Sequence, residues 1–288
     1  MGEFRHLHES VRPIAELGAE ERIAHLRHDR WIDHPLASQA LQRLELLLTT
    51  PRRTRMPCLL IYGDSGMGKT MIVEKFKRAH RPFFEPQRGI EHIDVLAVQM
   101  PPVPSQSRFY GQILQALGAP YRPSDRLFAV ETVAMGILNE IRPRMIVVDE
   151  VHPLLAGTAR DQRAALNQLK FLANALQCSV VALGTQDART AMQTDPQISS
   201  RFRPLELPRW REGESLQRFL AAFERLLPLR QPSRLGDRAL ARAVLDRSGG
   251  ITGNVAEILV QSAEAAIRRG REHIDLELLE EAAQLAIA

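Results

Sequence analysis

The sequence predicts an α/β fold: a five-stranded, mostly parallel sheet followed by a small helical C-terminal domain. Three observations predict it. A glycine-rich signature at residues 63–70 lies between an apolar run and a helix-forming stretch. From residue 58 to 208, strand-length apolar runs alternate with helical periodicity, the pattern of a sheet covered on both faces. After residue 210 only helical patterns remain.

The elements follow in order. Residues 19–50 read as helical, with Leu36, Leu41, Leu44, Leu47 and Leu48 at three- and four-residue spacings. An extended crossing at Trp31-Ile32-Asp33-His34-Pro35 interrupts them. A short basic linker at 51–57 leads into the strand Cys58-Leu-Leu-Ile-Tyr62, and residues 71–80 favour a helix. A second strand is expected at 92–100, before the breaker Pro101-Pro102-Val103-Pro104. Helices at 105–117 and 125–141 are closed by Gly118 with Pro120 and by Pro143. A third strand, 145–150, ends in two carboxylates. A helix at 159–177, a fourth strand at 178–185 and a fifth at 204–208 complete the sheet. Helices at 212–227, 237–247, 255–269 and 276–286 make the rest. The expected organisation is an N-terminal helical extension reaching the glycine-rich site (1–50), a core (51–210) and a helical lid domain (211–288).

Composition bounds the class. The chain has 288 residues, 44% hydrophobic and 25% charged, ordinary values for a soluble globular protein. No apolar run approaches the roughly 20 residues that span a bilayer, and residues 1–10 lack a signal-type apolar region. A cytoplasmic protein with no membrane partner is expected. Cys58 and Cys178 both lie in apolar runs and read as small core residues rather than a disulfide. The net charge is +4, with lysine only at 69, 75, 77 and 170. That arginine bias fits a GC-rich genome as well as a polyanionic partner, so composition leaves the partner open.

The signature Gly63-Asp64-Ser65-Gly66-Met67-Gly68-Lys69-Thr70, with Met71 behind it, matches a phosphate-binding loop. Its glycines let backbone N–H groups converge on one centre, and the following helix aims its positive end there. Lys69 would neutralise the β- and γ-phosphates and Thr70 would place its hydroxyl on Mg2+, making ATP and Mg2+ the expected cofactors. The alternative, a glycine-rich turn in an unrelated fold, fits the flanking strand and helix poorly. Asp149, at the tip of the third strand, is the candidate metal carboxylate, because strand ends face the nucleotide crevice. Glu150 would orient or activate the attacking water. A solvated loop start is the bland reading of this pair. The adjacent acids favour an ATP-hydrolysing, additional-strand P-loop enzyme over a nucleotide kinase.

Ser105, Gln106 and Arg108 start a helix beside a proline-rich loop, where a helix end with Ser and Arg can hold backbone phosphate, so they are candidate DNA contacts. Lys75, Lys77 and Arg78 are weaker candidates, since a charged solvent face explains them equally.

Several positions match the AAA+ ATPases. Thr185, ending the fourth strand, falls where that group places a polar sensor between the metal carboxylate and the γ-phosphate; a buried or turn-capping threonine is the alternative. Asp187 behind it would cap the next helix. Arg201, preferred over Arg203, falls where an arginine reaches the neighbouring subunit's ATP, although a surface role for either stays open. In the stretch Gly249-Gly-Ile-Thr-Gly253-Asn254, Asn254 stands where a lid arginine is expected, with a helix cap as its alternative.

Almost the whole chain resembles the TniB family, AAA+ ATPases of transposition modules similar to Tn7-type TnsC and the phage Mu B protein. The resemblance is carried by RHDRWIDHP ending at Pro35, RMPCLLIYGDSGMGKT at 55–70, RFYGQILQALGAP at 108–120, RMIVVDEVHPLLAGT at 144–158 and VVALGTQDA at 180–188. It implies an AAA+ P-loop NTPase that binds ATP, forms a homo-oligomeric ring or filament on double-stranded DNA, and recruits or activates a DDE-type transposase. A TniQ-type target-selection protein is a further implied partner, and ATP hydrolysis would drive disassembly. The resemblance also puts Ile32 and His34 near the adenine, with a hydrophobic staple as the alternative. Two other functions share these motifs: a replication-initiator or secretion-associated AAA+ ATPase, and a nonhydrolysing adaptor. The roughly 80 residues after Trp210 leave little room for an initiator's winged helix.

Overall fold

Five apolar runs pair into one parallel sheet in a computed structural model that describes residues 4–87, 89–103, 105–151 and 158–286. The strands are β1 (Cys58–Tyr62), β4 (Val95–Gln99), β5 (Met145–Asp149), β6 (Ser179–Gly184) and β7 (Phe202–Glu206), in the order β4-β5-β6-β1-β7. Every residue of β1 and β6 is buried, which is why these runs are apolar throughout rather than alternating. Parallel neighbours need crossovers, and helices supply them: α4 (Lys69–Ala79), α5 (Gln106–Ala116), α6 (Leu127–Ile141), α7 (Ala159–Ala175) and α8 (Gln186–Gln193).

The strands carry one consequence for chemistry. β6 lies between β1 and β5, so the strand ending in Asp149 is not adjacent to the one that enters the glycine-rich loop. This is the additional-strand arrangement expected from the paired acids.

The elements depart from the sequence patterns in four places. β7 runs Phe202–Glu206, two residues ahead of the expected 204–208, which puts Pro204 mid-strand. Proline lacks the N–H a central strand needs, and β7 tolerates it because it is the sheet's edge. The 92–100 run splits: His92 ends an antiparallel hairpin of β2 (Phe83–Glu85) and β3 (Ile90–His92), and β4 starts only at Val95. Phe83 stacks on His92 at 4.6 Å, yet Phe83 and Phe84 are both exposed, so no in–out alternation marks the hairpin. Two further helices, α1 (Arg12–Glu16) and α9 (Pro196–Ser199), are too short to show a period. The remaining helices are α2 (Ala19–Leu26), α3 (Pro35–Thr49), α10 (Glu214–Glu224), α11 (Arg238–Ser248), α12 (Thr252–Arg268) and α13 (Leu276–Ala286).

The chain forms two compact units. One comprises Gln39–Asp64 and Lys69–Leu207, and holds the sheet. Its core joins inward residues of the sheet, such as Leu60, Ile146 and Val180, to Phe109 and Ile113 of α5 and Leu172 of α7. Before β1, Arg52 donates to the carbonyls of Leu176 (2.8 Å) and Arg142 (2.6 Å), tying together the chain ends behind α7 and α6. Carbonyls at helix C-termini lack intrahelical donors, and a guanidinium satisfies several at once.

The other unit comprises Met1–Ser38, Ser65–Gly68 and Pro208–Ala288. Its core gathers Phe219, Phe223, Val255 and Leu259 with Ile23 and Leu26 of α2, and Trp210 stacks on Phe219 at 4.6 Å. Arg22 is buried and grips Glu272 with two bonds of 2.7 and 2.8 Å, donating also to the Pro228 carbonyl. Helix α2 therefore packs with the C-terminal helices, and α1 packs on α2. Ser65–Gly68 of the glycine-rich loop also fall in this unit.

Candidate nucleotide site

The loop begins where β1 and β7 converge. A Cβ on Gly63 would sit 2.4 Å from the Leu207 carbonyl oxygen, so only glycine lets the chain leave the sheet here. Gly66 and Gly68 adopt φ of 78° and 85°, conformations that favour glycine. Lys69 opens α4, and its ammonium donates to the carbonyls of Gly63 (2.9 Å) and Asp64 (2.7 Å), folding the side chain back along the loop. Burial lowers the Lys69 pKa, and the charges of Asp149, Asp64 and Glu150 oppose that shift. A cation held on loop carbonyls, beside glycines at positive φ, is a charge arrangement that suits a polyphosphate.

One residue on, the Thr70 hydroxyl donates to Asp149 Oδ2 at 2.7 Å. The other Asp149 oxygen accepts from the Glu150 N–H at 2.7 Å. The hydroxyl and carboxylate expected to share a metal thus meet across the loop. Both are hard oxygen donors, and a small set of them suits Mg2+, which keeps several waters and takes phosphate oxygens. Among the described residues no group of three or more His, Cys, Asp or Glu could hold a metal alone. The donor set fits Mg2+ bound together with a nucleotide's phosphates.

Glu150 leaves β5 at φ 53°, an uncommon conformation for a residue with a Cβ. Its carboxylate accepts a hydrogen bond from Gln99 Nε2. Gln99 ends β4 in register with Asp149, so adjacent strand tips set amide against carboxylate. The motif patterns did not single out Gln99. Its one signal is a polar residue closing an apolar strand beside the acids.

Thr185 follows β6 and takes the N-cap position of α8, but its side chain caps nothing. Its hydroxyl oxygen is buried with no partner. A buried, unpaired hydroxyl carries a desolvation cost that a ligand or water oxygen would relieve. Asp187, expected as the cap, lies in the helix's first turn instead. One turn later Arg189 lies over the Tyr62 ring at 4.9 Å, and Tyr62 donates its hydroxyl proton to Glu206 at 2.9 Å.

Lys69, Thr70, Asp149 and Glu150 converge; Arg201 does not join them. It lies before β7, at the N-terminal edge of the parallel sheet, whereas the loop occupies the C-terminal edge. Its guanidinium donates to Asn174 Oδ1 at 2.5 Å, and nearby Arg55 donates to Ser200 Oγ at 2.7 Å. Arg203 is an exposed residue of β7.

Within the helical unit, Ser65, Gly66, Met67 and Gly68 form the crown of the loop. The Gly253 N–H donates to the Gly66 carbonyl at 2.8 Å. Asn254 spends its side-chain amide on the Ser248 carbonyl at 3.1 Å, and Ile251 rather than Asn254 is the N-cap of α12. Ile32 packs against the apolar core of this unit. His34 sits edge-on to Trp210 (5.2 Å) and Phe219 (5.7 Å), and its Nδ1 accepts from the Ala37 N–H at the start of α3. Burial lowers its pKa against the pull of Asp33, favouring the neutral ring. Of the candidate DNA contacts, Ser105 caps α5 by accepting from the Arg108 N–H, and Gln106 and Arg108 are exposed. Lys75 is exposed on α4, while Lys77 pairs with Glu74 at 2.8 Å. Positions 152–157 of the DEVH-x-LLAGT segment lie outside the described residues.

The family described as "Bacterial TniB protein" matches residues 22–212. Among curated proteins, the chloroplastic chaperone ClpC2 of Arabidopsis thaliana is 27% identical over 216 residues, 73% of this chain. The chain spans only 20% of that relative's length. Among solved structures, Cdc6p from Pyrobaculum aerophilum superposes with a TM-score of 0.67 at 16% identity, covering 91% of this chain and 70% of that one. A structure described as Drosophila ORC bound to DNA gives 0.60 at 16% identity, covering 94% and 66%. These structural likenesses carry the fold, that of an AAA+ P-loop ATPase with a helical C-terminal part.

Proposed function

The chain belongs to the TniB family, and from that premise we propose that it is an ATP-dependent, DNA-binding regulator of transposition. In this reading it assembles on double-stranded DNA as a homo-oligomer, recruits or activates a DDE-type transposase, with a TniQ-type protein as a further partner, and disassembles on hydrolysis. The observation that carries the reading is the convergence of Lys69, Thr70, Asp149 and Glu150 at one edge of the sheet.

Loop N–H groups and Lys69 would hold the phosphates, and Thr70 with Asp149 would hold Mg2+. The ion supplies charge neutralisation and orients the phosphate oxygens. Glu150 accepts the proton of the attacking water, and Thr185, its hydroxyl otherwise unpaired, donates toward the γ-phosphate. Arg201 lies at the edge of the sheet away from its own loop, so it would act on a neighbouring copy's ATP and make turnover depend on assembly. Ser105, Gln106 and Arg108, with Lys75 and Lys77, would contact DNA phosphates, giving low sequence preference and steep salt dependence.

The test is fluorescence anisotropy of a labelled duplex with the whole chain. Binding should require ATP, fall away in Lys69→Ala, and persist after ATP is added in Glu150→Gln. Equal binding with and without nucleotide would sink the reading. A second reading, an AAA+ ATPase of the replication-initiator type, shares the fold and the site motifs. A pull-down with the cognate transposase separates the two: capture only with ATP and DNA supports the transposition role.

A further inference from the structure

The crown of the phosphate loop is held from the C-terminal helices by one backbone hydrogen bond. The loop's two ends are anchored at the sheet: the Gly63 N–H donates to the Gly184 carbonyl at 3.2 Å, and Lys69 begins α4. Residues 65–68 between those anchors group instead with the helical unit. There the Gly66 carbonyl accepts from the Gly253 N–H at 2.8 Å, and a Cβ on Gly66 would come within 2.9 Å of Ile251 Cγ2.

We propose that the Gly253 N–H is a positioning group for ATP, acting through the loop rather than on the nucleotide. The proposal rests on the reading that residues 63–70 bind ATP. A trans peptide is planar, with its C=O and the next N–H pointing in opposite directions. Fixing the Gly66 carbonyl onto Gly253 therefore turns the Met67 N–H the other way, away from α12. A loop of this kind binds phosphate through such N–H groups, so the clasp presets a donor before ligand arrives.

The surrounding residues brace the clasp. Trp210 donates its N–H to the Gly250 carbonyl at 2.8 Å and its indole N–H to Thr252 Oγ1 at 3.1 Å. Asn254 closes the same turn onto Ser248 at 3.1 Å. Glycine inside a helix is costly, yet at 253 a Cβ would press to 3.3 Å on the Gly66 oxygen, so close backbone approach accounts for it. The stretch in which a lid arginine was expected thus touches the loop by main chain, with Asn254 serving the turn.

Two variants of the full chain separate the N–H from the space it occupies. Gly253→Ala keeps the donor and asks the loop to give by a few tenths of an ångström. Gly253→Pro removes the donor in the first helical turn, where proline is tolerated. Titration with a fluorescent ATP analogue should show Gly253→Pro weakened about threefold to tenfold and Gly253→Ala within about twofold of wild type, the scale of one hydrogen bond. Equal affinities for the Pro and Ala variants would overturn the proposal. Amide exchange on the wild-type chain supplies an arm that needs no variant to fold: the Gly253 amide should be protected with and without nucleotide. Free exchange of that amide in both conditions would equally overturn it. Failure of the wild type to bind the analogue, with the Gly253 amide still protected, would overturn the ATP reading and leave the clasp in place.

Discussion

Glu150 sits at φ 53°, a conformation costing a residue with a Cβ about 1 kcal/mol, and is held there by Asp149 and Gln99. Strain of this kind persists when neighbours over-determine it and clusters at working sites. Replacing Glu150 with Gln should cut phosphate release about 100-fold or more while ATP affinity changes little, because only proton acceptance is removed. Turnover at the wild-type rate would contradict the assigned role. Gln99→Leu should raise basal turnover a few-fold, since the carboxylate is freed from the amide that occupies it; a stopped or unchanged rate would show that Gln99 does not restrain it. Lys69, Thr70, Asp149 and Glu150 were legible because their spacing along the chain is itself the signal. Gln99 and Gly253 were not, because their partners arise from strand register and from folding across long separations.

At the scale of elements, the strands declared themselves by continuous apolar runs, and the long helices by their period. What stayed hidden was short or two-sided: α1, α9 and the exposed β2–β3 hairpin offer neither signal. Gly184 is a junction of the same sort. A Cβ there would come within 2.5 Å of Ala188 Cβ and 3.0 Å of Val151 Cγ2, so glycine is what lets α8 fold back from β6. Gly184→Ala should cost about 1–3 kcal/mol of overpacking and lower the melting temperature by about 3–10 °C. A thermal melt within 1 °C of wild type would show that the helix gives way cheaply.

The largest-scale feature is the pairing of the chain's beginning with its end in one unit. Arg22 and Glu272 join α2 to the segment before α13. Burial alone would raise the Glu272 carboxyl, but the Arg22 guanidinium and the Arg230 N–H together hold it below its ordinary range. A carboxyl depressed on folding contributes stability above its unfolded pKa, about 4.3, and loses it as pH falls through the folded value. Melting temperature measured from pH 7 to 3 should therefore fall more steeply for wild type than for Glu272→Gln, which starts less stable. Parallel curves would show that the pair adds no pH-dependent stability. The helical character of both ends was readable from periodicity. Their mutual packing was not, since it depends on an ion pair 250 residues apart in sequence.

If a single ATP site times assembly on DNA, electron microscopy of the whole chain will show it. With duplex DNA and a nonhydrolysable ATP analogue, rings or filaments enclosing DNA should form, and should be missing with ADP or with Lys69→Ala. Single particles under every condition, or identical DNA assemblies with and without nucleotide, would contradict it.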